Sequence, residues 1–117
     1  MPKANMPLSQ AMREGAKLHP QAFGKLRKSC GGSYCTCALG AALEATGVKP
    51  KGFTYNLLVE KFPFLMIYGQ HTNGVVKTAT NPMTGQTTLL RHVIANLNDT
   101  HKWTREAIAD WLEEQGY

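Results

Sequence analysis

Apolar positions along this chain recur mainly at helical spacing. The clearest run lies in the last third, where Leu89, Leu90, Val93, Ile94 and Leu97 share one helical stripe and predict a core-facing helix. After the turn Asn98-Asp99-Thr100-His101-Lys102, Thr104 is suited to cap a final helix that buries Ile108, Trp111 and Leu112. Trp103 and Ile108 flank that cap as a hydrophobic staple, and Gly116 ends the helix. Near the start, Ser9 predicts the cap of a first helix carrying Met12 and Ala16, with Leu8 just outside it. His19-Pro20 ends that helix, and Pro20 suits the first turn of a short second segment through Phe23 and Leu26. A loop, Ser29-Cys30-Gly31-Gly32-Ser33, follows.

The stretch Cys37 to Ala45 is built of small side chains, with Thr36 as its expected cap and Gly47 as its left-handed closing residue. Alanines and Gly40 let another backbone approach closely, so this helix is placed at the centre, wrapped by its neighbours. Thr54 predicts a short helix, Tyr55 to Lys61, that buries Leu57 and Leu58 and stops before Phe62-Pro63. From Phe64 to Thr80 β-formers surround Asn73-Gly74, the signature of a short projecting hairpin. The expected fold is mainly α (α+β): a compact single domain, residues 1–117, of about five short helices with one β-hairpin. Its parts are a helical stretch 8–61, the hairpin 64–80 and a helical hairpin 88–115.

Composition narrows the class. A hydrophobic fraction of 43% with 18% charged residues is too apolar for a disordered chain. A length of 117 residues suffices for a core, so neither a metal nor a disulfide is obligatory. No run of about eighteen apolar residues predicts a membrane span, and the start lacks the apolar segment of a signal peptide. A cytoplasmic protein with no membrane partner is expected. The three cysteines, Cys30, Cys35 and Cys37, are odd in number and crowded, which argues against a disulfide framework and for a reducing compartment. Cys37 reads as a small buried apolar residue, with Cys30 and Cys35 in the loop leading to its helix.

The net charge of +5 is lopsided: residues 1–61 hold nine Lys and Arg against three Glu, while residues 62–117 hold four against five acids. A basic half attracts phosphates or an acidic protein surface, although solvated helix faces explain the same charges.

Chemical motifs are sparse. Neither Gly-rich phosphate-binding pattern occurs, which disfavours a nucleotide hydrolase. The spacing of Cys30, Cys35 and Cys37 is not that of a zinc knuckle. A cysteine nucleophile at Cys35 or Cys37 lacks an identifiable base among His19, His71, His92 and His101. Glu113 and Glu114 read as a solvated face rather than an acid–base pair. Thr104 to Leu112 looks like the first helix of a helix-turn-helix, but it is locally acidic and after Glu113 and Glu114 only Gln115, Gly116 and Tyr117 remain.

Two stretches resemble small bacteriophage- and prophage-encoded proteins of unassigned function. The first, within residues 8–46, contains Leu8-Ser9-Gln10-Ala11, Pro20-Gln21-Ala22-Phe23-Gly24 and Cys37-Ala38-Leu39-Gly40-Ala41-Ala42-Leu43. The second, residues 81–113, ends in the tail Leu97-Asn98-Asp99-x-His101-x-Trp103-Thr104-Arg105-Glu106-x-Ile108-Ala109-Asp110-Trp111-Leu112-Glu113. In many such proteins the tail follows a Cys-Pro-x-Cys knuckle and carries a second histidine, which implies a four-ligand zinc site. Here Asn81-Pro82-Met83-Thr84 stands at the knuckle and Asn96 at the first histidine, leaving His101 alone. The resemblance therefore implies that this member has lost its zinc and has no cofactor, with Trp103, Ile108 and Leu97 packing the turn.

The leading functional expectation is a non-catalytic phage-type accessory protein that binds and modulates or inhibits a host or viral macromolecule, with an anti-defence, anti-CRISPR-like role as one form. A host or phage protein is the expected partner, contacted through Arg27, Lys28, Tyr68, His71 and Lys77. The alternative is a nucleic-acid-binding accessory protein that uses the basic N-terminal half.

Overall fold

The computed structural model describes residues 6–49, 52–66 and 76–117. Helix α1 (Leu8–Ala16) has Pro7 at its cap, and Ser9 lies buried in its first turn, donating its amide to the Tyr117 carbonyl at 3.1 Å. Ser9 is therefore not the cap, and Leu8 joins Ala11 and Met12 in the core. The proline's φ of −58° is already set for chain entry into a helix.

No helix follows Pro20. Instead Ala22 N donates to the Thr36 carbonyl (2.9 Å) and Thr36 N to the Pro20 carbonyl (3.0 Å), a parallel bridge centred on Gln21 and Thr36. The segment meets its backbone hydrogen-bonding needs on a neighbouring strand, which removes the reason to coil. Strands β1 (Arg27–Cys30) and β2 (Ser33–Thr36) form an antiparallel hairpin in the region expected to be a loop. Gly31 and Gly32 supply its turn with φ of +47° and +82°, a conformation that only glycine adopts readily at both positions. The hairpin brings the Cα atoms of Cys30 and Cys35 to 5.9 Å, and the two are joined in a disulfide. This corrects the reading of both as free loop thiols: strand pairing, invisible in the cysteine spacing, brings them together.

Helix α2 (Ala38–Ala45) is the central element, and residues 38–43 are all buried. Its cap is Cys37 rather than Thr36, with Sγ accepting from Gly40 N at 3.4 Å, because Thr36 is already committed to β2. Close approach is literal here. A Cβ on Gly15 of α1 would lie 1.7 Å from the Ala41 carbonyl oxygen, and one on Gly40 would lie 2.0 Å from that of Leu26.

Helix α3 (Tyr55–Lys61) begins at Thr54, whose Oγ accepts from Leu57 N at 3.1 Å, and is followed by a 3₁₀ turn, Pro63–Leu65. The tip of the hairpin expected over 64–80, including Tyr68 and His71, lies outside the described residues. Of its flanks, Phe64 and Leu65 belong to the 3₁₀ turn, while β3 (Thr78–Thr80) pairs antiparallel with β4 (Thr87–Leu89). That second strand pair is closed locally: Asn81 Oδ1 accepts from Met83 N and Thr84 N, and Gly85 takes φ +75°.

Helices α4 (Leu90–Asp99) and α5 (Arg105–Glu114) follow the expected pattern. Leu90, Val93, Ile94 and Leu97 meet Ile108 and Leu112 in one core with α1 and α2. Thr104 caps α5 through Ala107 N at 3.1 Å. The fold is mainly helical α+β, and no described helix is long and apolar enough to cross a membrane.

Candidate functional site

Two walls built from distant parts of the chain enclose an open groove of about 360 Å³. One wall is the start of α3, where the Thr54 cap places Tyr55 at the first helical position with its side chain 43% exposed. The Arg91 guanidinium lies 4.7 Å from the Tyr55 ring centroid and steadies the ring from α4. Half-buried Phe53 lines the same side. The opposite wall is Gly24 to Arg27, with Leu26 buried as its anchor and Lys25 and Arg27 exposed. Burial raises the Tyr55 phenol above its usual range, so the ring is neutral at physiological pH. Burial also lowers the Arg91 guanidinium, which remains a cation at any working pH.

The Gly24 wall is held by the C-terminal tail. Gly24 N donates to Asp99 Oδ1 at 2.8 Å. Asn98, 1% exposed, accepts from Gln21 Nε2 (2.8 Å) and Ala38 N (3.1 Å) while donating to the Ala22 carbonyl (2.9 Å) and Asp99 Oδ1 (2.7 Å). Gln21 Nε2 also reaches the Trp103 carbonyl at 2.8 Å. Buried Arg105 closes the layer, donating to Thr36, to the Ala16 carbonyl and, at 2.7 Å, to the His19 carbonyl. The segment Pro20-Gln21-Ala22-Phe23-Gly24 and the tail from Asn98 to Arg105 are thus one hydrogen-bonded unit.

Of the expected contact residues, Arg27 lines the groove. Lys28, next along β1, is exposed and points to the other face of the strand. Lys77 is exposed beside β3, in the other strand pair, and its carbonyl accepts from Leu90 N at 2.9 Å. Tyr68 and His71 cannot be placed with them, being outside the described residues. Sequence reasoning missed Phe53, Tyr55 and Arg91 as groove residues; the only signal was aromatics near Lys25 in a basic half, with no register linking them.

A second polar cluster joins the turn after α1 to β2 and α2. Tyr34 OH donates to Glu44 Oε2, His19 Nε2 lies 3.4 Å from the same oxygen, and the His19 and Tyr34 rings stack at 3.8 Å. Glu44 Oε1 is buried without a hydrogen-bond partner. Burial and the Glu44 hydrogen bond push the Tyr34 phenol up to about 12, so it serves as a donor that clamps these elements. Burial pushes the Cys37 thiol up to about 11, which suits its capping role and opposes a nucleophilic one; Cys35 is held in the disulfide.

The place where the resemblance implies zinc carries different chemistry. Asn81 Nδ2 donates to Asn96 Oδ1 at 2.8 Å, two carboxamides bonded to each other, and His101 N donates to the Asn96 carbonyl at 3.2 Å. Carboxamides are poor zinc ligands beside thiolate and imidazole, so this donor set does not fit a structural zinc. Among the described residues no three His, Cys, Asp or Glu side chains are grouped to hold a metal.

No family model, curated protein or solved structure matches the chain.

Proposed function

We propose that this chain is a non-catalytic accessory protein that grips a host or viral macromolecule through the Lys25–Arg27/Phe53–Tyr55 groove and so modulates or blocks it. The observation that supports this reading is the groove itself, which pairs two exposed cations with an exposed aromatic ring in one concavity. Arginine and tyrosine are the residue types that most often dominate binding energy, and a stable contact needs only about 800 Å² per partner. In the phage setting implied by the resemblance, the concrete form is an anti-defence, anti-CRISPR-like protein acting in the host cytoplasm. A reducing cytoplasm would open the Cys30–Cys35 disulfide, and the β1–β2 ladder with its glycine turn would then hold the hairpin.

The test is capture of partners from infected host cells by immobilised protein, comparing the wild type with a Lys25→Glu/Arg27→Glu variant and identifying both protein and nucleic acid in the eluate. Loss of a specific partner is expected; an unchanged set of partners removes the groove from the reading. Loss of the implied zinc belongs to the same proposal, supported by the Asn81–Asn96 pair, and about one zinc per chain after purification without added metal would overturn it.

A further inference from the structure

The groove's walls differ in kind, and the difference selects a ligand class. Lys25 and Arg27 offer charge, which an acidic peptide or a phosphate backbone satisfies equally well. Phe53 and Tyr55 offer ring faces, which carboxylates leave uncovered but a planar base covers by stacking. In a duplex the base faces are already stacked on one another, so an aromatic wall gains nothing from it. The volume of about 360 Å³ lies at the small end of ligand sites, suited to one unpaired base rather than a duplex edge. The Tyr55 ring is held on the Arg91 guanidinium at 4.7 Å, so little rotamer freedom remains to be lost on binding. Phe23, the residue before Gly24, is 38% exposed, with the Lys102 ammonium 4.1 Å from its ring centroid.

Accepting the groove as the binding face, we infer that it is a seat for single-stranded nucleic acid, in which an unpaired base stacks on Tyr55 while Lys25 and Arg27 bind the flanking phosphates. Recognition is by ring face and charge, so it tolerates sequence.

Fluorescence anisotropy of the full chain with labelled dT12, rU12, a 12-base-pair duplex and a poly-glutamate peptide tests this, and the first two probes separate DNA from RNA. Binding of at least one single strand is expected, with the duplex and the peptide at least tenfold weaker. Two phosphate contacts predict a salt slope near −1.4, so affinity falls about sevenfold between 50 and 200 mM salt. Tyr55→Ala should weaken binding about thirtyfold, the middle of the range for losing one base–aromatic stack, while Tyr55→Phe keeps it. Tyr55 is half-exposed, and circular dichroism of both variants verifies that they fold. A Lys25→Gln/Arg27→Gln variant should flatten the salt dependence, and Lys28→Gln on the opposite strand face should leave affinity within twofold. Equal binding of duplex or peptide, or a Tyr55→Ala variant within twofold of the wild type, overturns the inference. If neither single strand binds at 50 mM salt yet the Lys25→Glu/Arg27→Glu variant still loses its captured partner, the nucleic-acid inference falls and the groove reading stands. If capture is also unchanged, both fall.

Discussion

Replacing Asn98 is the sharpest perturbation available, because one buried carboxamide satisfies four groups, on the segment 20–24, at the start of α2 and at the end of its own helix. Asn98→Leu keeps the side chain's heavy-atom count and its branching at Cγ but removes every hydrogen bond of that side chain. Ala38 N, one of the amides at the start of α2 with no intrahelical partner, loses its acceptor; the buried Ala22 carbonyl loses its donor. Gln21 Nε2 keeps the Trp103 carbonyl, and Asp99 Oδ1 keeps Gly24 N. Two backbone groups are thus stranded, each at about 1–3 kcal/mol, and the gain from the leucine's methyls offsets about 1 kcal/mol, leaving a net loss of about 3 kcal/mol. For a chain of this size that corresponds to a fall in Tm of about 12 °C, a large share of a total stability of about 5–15 kcal/mol. Urea denaturation followed by tryptophan fluorescence measures the loss, with a lower midpoint at unchanged slope. The variant should also weaken ligand binding at the groove, whose Gly24 wall hangs on the adjacent Asp99. A loss below about 1 kcal/mol would refute the reasoning, since it would mean that the stranded groups find water or new partners at negligible cost.

The α1–α2 contact predicts that Gly15→Ala costs more than about 3 kcal/mol, because its Cβ would overlap the Ala41 carbonyl 1.7 Å away and backbone must move; thermal melts beside an exposed Ala control measure this. Cys37 predicts an alkaline instability. Its folded thiol is held up at about 11, above its unfolded value, so between about pH 9 and 11 the unfolded chain gives up a proton that the native one keeps. Stability should be intact below pH 9 and fall by about 2–3 kcal/mol across that window. Denaturation midpoints at pH 8 and 10.5 for the wild type and Cys37→Ser check it, with a flat wild-type profile as the contrary result. Reducing the Cys30–Cys35 bridge, which closes a loop of sequence separation 5, should cost about 2 kcal/mol in the loop-entropy description; melts with and without reductant decide it, and no shift would mean the Gly31-Gly32 turn already restrains the unfolded hairpin.

Much of the helical framework was legible because it is written locally. Thr54 and Thr104 announce their caps, the α4 stripe announces its buried face, and the alanines and Gly40 of α2 announce a helix that others pack against. The carboxamide chemistry of Asn81 and Asn96 was also legible, but only the fold bonded the two to each other. The β1–β2 hairpin was less so: Gly31-Gly32 marked a turn, but RKSC and SYCT have too little alternation to declare strands.

What the sequence by itself determined, then, is the coiling of α1 to α5 and their apolar faces, because those depend on neighbours within a few positions; it did not determine the segment after Pro20, which bridges to β2 instead of coiling. Only the tertiary structure decided that Cys30 meets Cys35, that Asn98 serves Ala22 and Ala38 together, and that Lys25 and Arg27 line one groove with Tyr55. Each of those joins residues whose meeting depends on how strands register and helices cross, and no short-range pattern encodes that.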